Sequence, residues 1–231
     1  MLTSHEFTIL EILNELQEAM DPINERRIKF INKIRHDVST KPEFLFARVS
    51  AENKARILLN NKAGYLSESD LDHFLNLCNT ELVPPNQYSI KLRDIETITR
   101  FQLSFIGQNR KLMADSLEST NEWIKRLWEQ TDDYSSLTRF WNENQVPGAG
   151  MGLPTMILYL KDSSRFNVWL PFLNKGISIF TGEKISSKRN ADNYIKFNET
   201  VNRGLREPFN LKPQEIDYIL FRINAEASFR S

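Results

Sequence analysis

Apolar residues recur every three or four positions along most of the chain, the spacing that places them on one face of an α-helix. The first run includes Phe7, Leu10 and Leu16, breaks at Pro22 and resumes over 23–34. Alternation of apolar and polar residues, the pattern of a strand, is weak and confined to "YSIKL" and "GISIF". The pattern therefore predicts an all-α, helical bundle-like protein.

Local signals divide this pattern into separate helices. Ser50 precedes "AENKARILL" as a candidate N-cap, and Ser67 with Asp70 forms a candidate capping box at the start of "SESDLDHFLNLC". The polar patch 130–136 is the softest boundary, so we expect an N-terminal helical part over 1–130 and a second part over 131–231, unless the two form one continuous domain. Further helices are predicted over 90–105, 109–130, 135–145, 187–206 and 212–227.

Composition and charge limit the kind of site to expect. Of the 231 residues, 30 are Lys or Arg and 30 are Asp or Glu, so any polyanion site must be a local patch. One such patch runs from Lys184 to Arg206, where six cations face two acids, a local charge of +4. The alternative interpretation is a solvated face of mixed charge.

Cysteine, histidine and the N-terminus bear on compartment and cofactors. A single cysteine, Cys78, fits a reducing cytosol and reads as a buried residue of an amphipathic helix. The first 20 residues carry four glutamates and no Lys or Arg, unlike a secretory signal. The three histidines, His5, His36 and His73, lack metal-ligand spacing. We expect a cytoplasmic protein without a metal or cofactor.

The glycine cluster "VPGAGMGLPT" (146–155) is the most distinctive stretch, and it precedes the apolar run "MILYL". It has no lysine, which excludes a P-loop, and its Gly-x-Gly-x-Gly spacing after a predicted helix does not fit a dinucleotide fingerprint. Two interpretations remain, a helix-hairpin-helix that holds a DNA phosphate and a plain turn between helices. In the first, glycines admit a phosphate to backbone N–H groups at the start of the second helix.

The hairpin interpretation assigns specific roles to nearby residues. The backbone from Gly148 to Gly152 would hold the phosphate, Thr155 would add a hydroxyl donor, and Arg165 with Lys175 would add charge. Trp169 is the candidate ring for base stacking. The residues predicted to contact nucleic acid are thus Gly148, Ala149, Gly150, Met151, Gly152, Thr155, Arg165, Lys175 and Trp169.

The stretch "VPGAGMGLPTMILYLKDSSRFNVW" resembles the helix-hairpin-helix segments of DNA glycosylase-like domains over about 25 residues. Catalytic members of that family carry a lysine and an aspartate after the hairpin, and the corresponding positions here hold Gly152 and Leu170. The resemblance therefore implies DNA binding without base excision, so we expect no enzymatic activity. A short Glu52-Asn53-Lys54 pattern imitates restriction nucleases, but it lies in a predicted helix instead of a strand.

A wider resemblance covers roughly 55–225. The segments "RFQLSFIGQNRKLMADSLESTNEWIKRLWEQ" and "GLREPFNLKPQEIDYILFRI" are similar to the N-terminal regions of McrB-type, modification-dependent restriction AAA ATPases. The chain lacks a Walker motif, so the resemblance implies the DNA-recognition part of a defence system, for duplex DNA with or without modified bases. The motor ATPase and the nuclease would then lie in other domains or chains.

Two other functional classes stay open at this point. One is a protein-interaction module of a defence complex, in which the hairpin only packs helices and an apolar face around Phe101, Phe105 and Trp128 binds the partner. The other is a diverged, glycosylase-like base-processing enzyme, which would release a base or cleave DNA.

Overall fold

The computed structural model describes residues 22–39, 42–78, 107–130, 132–143 and 146–225. The regular elements in these ranges are helices, which confirms the predicted all-α class. In chain order they are α1 (Pro22–Ser39), α2 (Pro42–Lys62), α3 (Glu68–Cys78), α4 (Gly107–Asp115), α5 (Leu117–Glu129), α6 (Asp133–Glu143), α7 (Gly152–Lys161), α8 (Pro171–Thr181), α9 (Ala191–Val201), a π-helical turn (Asn202–Arg206), α10 (Glu207–Phe209) and α11 (Pro213–Ala225).

The chain divides into two compact units, Met1–Thr40 and Lys41–Ser231. The division expected near 130 is absent, because helices on both sides of that position pack together. Helix α5 contacts both α6 and α7. Lys161 at the end of α7 pairs with Asp133 at 2.6 Å, and its ammonium also donates to the Leu127 carbonyl at 3.4 Å. The second unit is therefore one continuous domain.

The first unit contributes α1, whose residues Ile31 and Ile34 are buried. Its outer face carries an ion pair between Lys29 and Glu25 at 2.6 Å. The run predicted from Phe7 to Leu16 lies outside the described residues.

Helix α3 begins as its sequence predicts. The Ser67 N–H donates to the Asp70 carboxylate at 3.0 Å, and the Asp70 N–H donates to the Ser67 hydroxyl at 3.2 Å. This reciprocal pair confirms the capping box. Helix α2, in contrast, does not begin at Ser50, which lies in the middle of a helix that starts at Pro42. Proline suits that position because the first helical N–H has no partner inside the helix.

Two other expectations change in detail. The segment 109–130 is two helices that meet at Ser116, where the Thr120 hydroxyl donates to the Met113 carbonyl at 2.9 Å. The weak strand candidate "GISIF" lies inside α8, while "YSIKL" lies outside the described residues. Helix α8 packs closely on α11, and a Cβ on Gly176 would lie 2.3 Å from the Leu220 carbonyl oxygen. This close contact with a second helix selects helix over strand.

Helix α7 is the centre of the second unit. All residues from Gly152 to Leu160 are buried, and α2, α5 and α6 pack around them. A helix that is apolar on every side belongs in the interior. Helices α8 and α9 contact each other, and α9 also packs on α6. Among the described helices, none is both long enough and apolar enough to span a membrane.

Candidate nucleic-acid interface

The glycine cluster forms a tight turn between α6 and α7, as the hairpin interpretation and the plain-turn interpretation both require. The Ala149 N–H donates to the Val146 carbonyl at 3.3 Å, and the Leu153 N–H donates to the Ala149 carbonyl at 3.2 Å. Val146 is buried, whereas Pro147 is exposed. Two of the turn's amides are therefore used within the turn itself, including that of the predicted contact Ala149.

Gly148 is required by contact with the protein's own backbone. Its φ is +85°, a conformation that side chains disfavour. A Cβ at this position would lie 2.3 Å from the carbonyl oxygen of Asn109 in α4. The turn therefore packs on α4 at Gly148, and this packing accounts for the glycine without any ligand.

Gly150 lies in a different environment two residues later. Its φ is +59°, and no atom lies within 4 Å of the position that a Cβ would occupy. The Gly150 carbonyl accepts a hydrogen bond from the Trp141 indole at 3.4 Å, which braces the turn from α6. Gly150 is thus the open side of the turn, where a bulky anion has room to approach.

The beginning of α7 is covered by protein. Ala149, Met151 and Gly152 are buried. Thr155 is buried too. Its hydroxyl donates a hydrogen bond to the Met151 carbonyl at 2.8 Å and accepts one from the backbone N–H of Trp169 at 3.0 Å. The prediction that Thr155 donates to a phosphate is therefore wrong, because this hydroxyl joins the turn to the segment after α7.

Trp169 is part of the core. Its side chain is 0% exposed, and its ring centroid lies 5.6 Å from that of Trp141 and 5.9 Å from that of Tyr194. The indole N–H donates to the Asn174 side chain at 3.3 Å. A base has no access to this ring, so the predicted base-stacking role of Trp169 is wrong, and the aromatic cluster instead supports the turn.

Arg165 lies at the far end of the hairpin. Its guanidinium is 3.6 Å from the carboxylate of Asp133, the first residue of α6, whereas the turn follows the last residue of that helix. Eleven helical residues span about 16 Å, so the structure does not bring Arg165 to the turn. Arg165 also stacks on Phe166 at 4.8 Å, and Lys175 is exposed on α8.

A loop at 182–190, named here the basic loop, carries three exposed cations, Lys184, Lys188 and Arg189, and one exposed acid, Glu183. It begins at Gly182, whose φ of +80° ends α8, and it precedes α9, which starts at Ala191 and not at 187 as predicted. The basic loop is pinned at two points. The Asn174 amide donates to the Ile185 carbonyl at 3.1 Å, and the Asn193 amide donates to the Lys188 carbonyl at 2.8 Å.

A chain of contacts joins the turn to the basic loop. The Gly150 carbonyl accepts a hydrogen bond from the Trp141 indole, whose ring packs on that of Trp169. The Trp169 indole donates a hydrogen bond to the Asn174 side chain, and the Asn174 amide donates one to the Ile185 carbonyl. The same aromatic cluster therefore supports the open glycine and anchors the cationic segment. The sequence pattern did not predict this link, although the polar stretch after Gly182 and its basic residues are visible in the sequence.

The nuclease-like pattern at Glu52 is structural. Its carboxylate is buried in α2 and accepts hydrogen bonds from Arg48 at 2.9 Å, the Tyr159 hydroxyl at 2.7 Å and the Gln214 amide at 2.9 Å. Arg48 also pairs with Asp217 of α11 at 2.8 Å. These buried charges join α2, α7 and α11, and they leave no open metal position at Glu52.

The one cysteine, Cys78, is buried in α3. Burial raises the pKa of the Cys78 thiol well above its ordinary value, so the sulfur stays protonated. Across the described ranges, the His, Cys, Asp and Glu side chains form no group of three that would hold a metal ion.

Comparison of this chain with family models, with curated proteins and with solved structures found no match in any of the three. The resemblance to glycosylase-like domains and restriction ATPases therefore stays a prediction based on the residues quoted above.

Proposed function

We propose that this protein is a non-catalytic DNA-binding module that holds the phosphates of a duplex through the Gly150 side of the turn and through the basic loop. In this proposal it is the cytoplasmic targeting part of a restriction or anti-phage defence system, with the motor ATPase and the nuclease in other domains or chains. The observation that supports it is the contact chain from Gly150 to Ile185, which links a sterically open turn to a pinned, cationic loop through one aromatic cluster.

The two elements contribute different physical terms. Gly150 leaves space for a phosphate close to the backbone, which positions the DNA without reading its sequence. The basic loop supplies the electrostatic attraction, because each cation that neutralises a phosphate releases a counterion from the duplex. With a net formal charge of zero on the whole chain, the attraction is local and weakens strongly with added salt.

The proposed contacts are with the DNA backbone, because Trp169, the ring predicted to stack on a base, is buried. We therefore expect plain, methylated and hydroxymethylated duplexes of one sequence to bind with affinities within about twofold of each other. A titration of the three duplexes measures this directly. A strong preference for one of them would require a base-reading surface other than Trp169.

Two variants of one residue test the turn. Gly150→Asp and Gly150→Asn place side chains of nearly the same size at φ +59°, a conformation that both tolerate better than other side chains do, but only the aspartate adds a negative charge. We expect the aspartate variant to bind duplex DNA about tenfold more weakly than the asparagine variant at low salt, because a carboxylate repels the phosphate. Equal affinity of the two folded variants would remove the turn from the interface.

We also propose that the protein neither releases bases from DNA nor cleaves it. Gly152 is buried, and Leu170 is partly buried at the start of α8, so the positions of the glycosylase lysine and aspartate carry no ionisable group. Incubation with modified and unmodified duplexes is expected to leave both intact. Release of a base or strand cleavage would favour the base-processing alternative.

A further inference from the structure

Helix α2 carries a stripe of large apolar side chains that face solvent. Phe46 is 76% exposed, Ile57 is 60% exposed, and Val49 is 40% exposed. Eleven residues make about three helical turns, so Phe46 and Ile57 project from nearly the same side, and Val49 lies beside them. We name these three residues the α2 stripe.

The α2 stripe is distinct from the face that α2 buries. Ala55, Leu59, Arg48 and Glu52 are buried and lie on the opposite side of the same helix. Single exposed apolar residues are common on protein surfaces. Three of the five large apolar residues that are exposed in the described part of the chain lie together on this one stripe, and such clustering marks interaction surfaces.

The predicted interaction face lay elsewhere. Phe101 and Phe105 are outside the described residues, and Trp128 is half-buried on α5. Most of the exposed large apolar residues in the described part of the chain lie instead on α2.

The charges around the α2 stripe indicate the chemistry of its partner. Lys54 and Lys62 are exposed on α2, whereas Glu52, the only carboxylate among the helix's described side chains, is buried. Lys62 is engaged by Asp70 of α3 at 2.8 Å, which leaves Lys54 as the exposed cation closest to Ile57 along the helix. A single lysine beside an apolar strip complements a carboxylate beside the apolar strip of a partner.

Two other occupants fit these observations less well. A second copy of this chain would bring Lys54 toward the same lysine, with no exposed carboxylate among the described side chains of α2 to pair with it. An anionic membrane surface is held by several cations beside the apolar face. Here the polar positions on the stripe's side include the uncharged Asn53 and Asn60.

We propose that the α2 stripe is the docking site for an amphipathic helix of a partner protein, with aliphatic residues on one face and carboxylates beside them. From Phe46 to Ile57 the stripe is about 16 Å long, which one partner helix of three to four turns covers. Recognition of this kind uses apolar anchors at helical spacing. It is independent of the phosphate contacts proposed for the turn and the basic loop.

The experiment is a selection of helical peptides that bind the full chain. A display library of randomised 20-residue helical peptides is selected on the wild-type protein, after depletion on the Phe46→Ser, Ile57→Ser double variant. We expect enriched peptides with aliphatic residues at helical spacing and a net negative charge. No enrichment, or enrichment of basic peptides, would overturn the proposal.

The best peptide is then titrated against matched variants of the folded chain. Phe46→Ser with Ile57→Ser is expected to weaken binding at least about tenfold, since apolar anchors dominate such contacts. Lys54→Glu is expected to weaken it about threefold at low salt. Tyr65→Ser removes an aromatic residue that is 74% exposed and lies beyond the end of α2, so it serves as the control and is expected to change nothing.

Two further measurements separate the other occupants. Light scattering that shows a dimer dependent on Phe46 would favour a second copy, and sedimentation with vesicles of anionic lipid that depends on Phe46 would favour a membrane. Either result overturns the proposed partner helix. A monomer that does not sediment with vesicles, and that binds the acidic peptide through Phe46 and Ile57, supports it.

Discussion

The turn at 146–152 and the basic loop at 182–190 occupy equivalent places in the chain, since each precedes a helix, yet their surroundings differ. In the turn, most residues are buried and Gly148 contacts the backbone of α4. In the loop, most side chains are exposed, and only Ile185 is buried as an anchor. A glycine-rich turn can therefore be largely structural, while the cations that would attract DNA lie in another loop whose sequence is less distinctive.

Among the variants of these two segments, the largest effect is expected at Gly148. Alanine there meets the Asn109 carbonyl and holds a left-handed backbone, so we expect a loss of about 3–5 kcal/mol in the free energy of unfolding. Gly150→Ala, with open space, is expected to cost only about 1–2 kcal/mol. Denaturant titrations of both variants measure the difference. Similar losses would show that the two glycines do not differ as described.

Thr155 is expected to have the next largest effect. Valine conserves the shape of Thr155 but removes the oxygen that accepts a hydrogen bond from the buried backbone N–H of Trp169. We expect the free energy of unfolding to fall by about 1–3 kcal/mol. The free energy of unfolding of Thr155→Val measures this. Serine keeps the hydroxyl and is the matched control for the hydrogen bond. Full stability of the valine variant would contradict the role assigned to this hydroxyl.

The basic loop is expected to affect binding without affecting stability. Replacing Lys184, Lys188 and Arg189 with glutamine removes three exposed charges, and we expect duplex affinity at low salt to fall about tenfold or more. The control replaces the exposed cations Arg26, Lys33 and Lys54, which removes the same charge elsewhere. Equal losses in both triple variants would mean that the attraction is a property of overall charge and not of the loop.

The smallest effect is expected at Arg165. Because it pairs with Asp133 at the opposite end of the hairpin from the turn, Arg165→Gln is expected to change duplex affinity by less than about twofold. Anisotropy titrations beside the wild-type protein are sufficient. A loss as large as that of the loop variant would place Arg165 in the interface after all.

Local signals in the sequence predicted much of this fold. The capping box at Ser67 and the helices on both sides of the glycine turn depend on residues close together in the chain. The start of α2 was misplaced, because Ser50 has the composition of a cap but lies within a helix that Pro42 begins earlier.

The site was harder to predict because its decisive contacts join distant parts of the chain. Nothing near Gly148 in sequence indicates that Asn109 covers it, and nothing near Trp169 or Thr155 indicates that they bond each other in the core. A hairpin motif gives no sign of which of its residues are buried. In the structure most residues of the turn are buried, Gly150 lies on its open side, and a separate segment, the basic loop, carries exposed cations.

The salt dependence of duplex binding shows whether the cations of the basic loop contact DNA phosphates. The logarithm of the binding constant is measured against the logarithm of salt concentration for the wild-type protein and for the triple glutamine variant of the basic loop. If all three cations contact phosphates, the slope for the variant becomes shallower by about 2–3, since each neutralised phosphate contributes about 0.9. Absence of duplex binding at low salt, or the same slope for both proteins, would contradict the account.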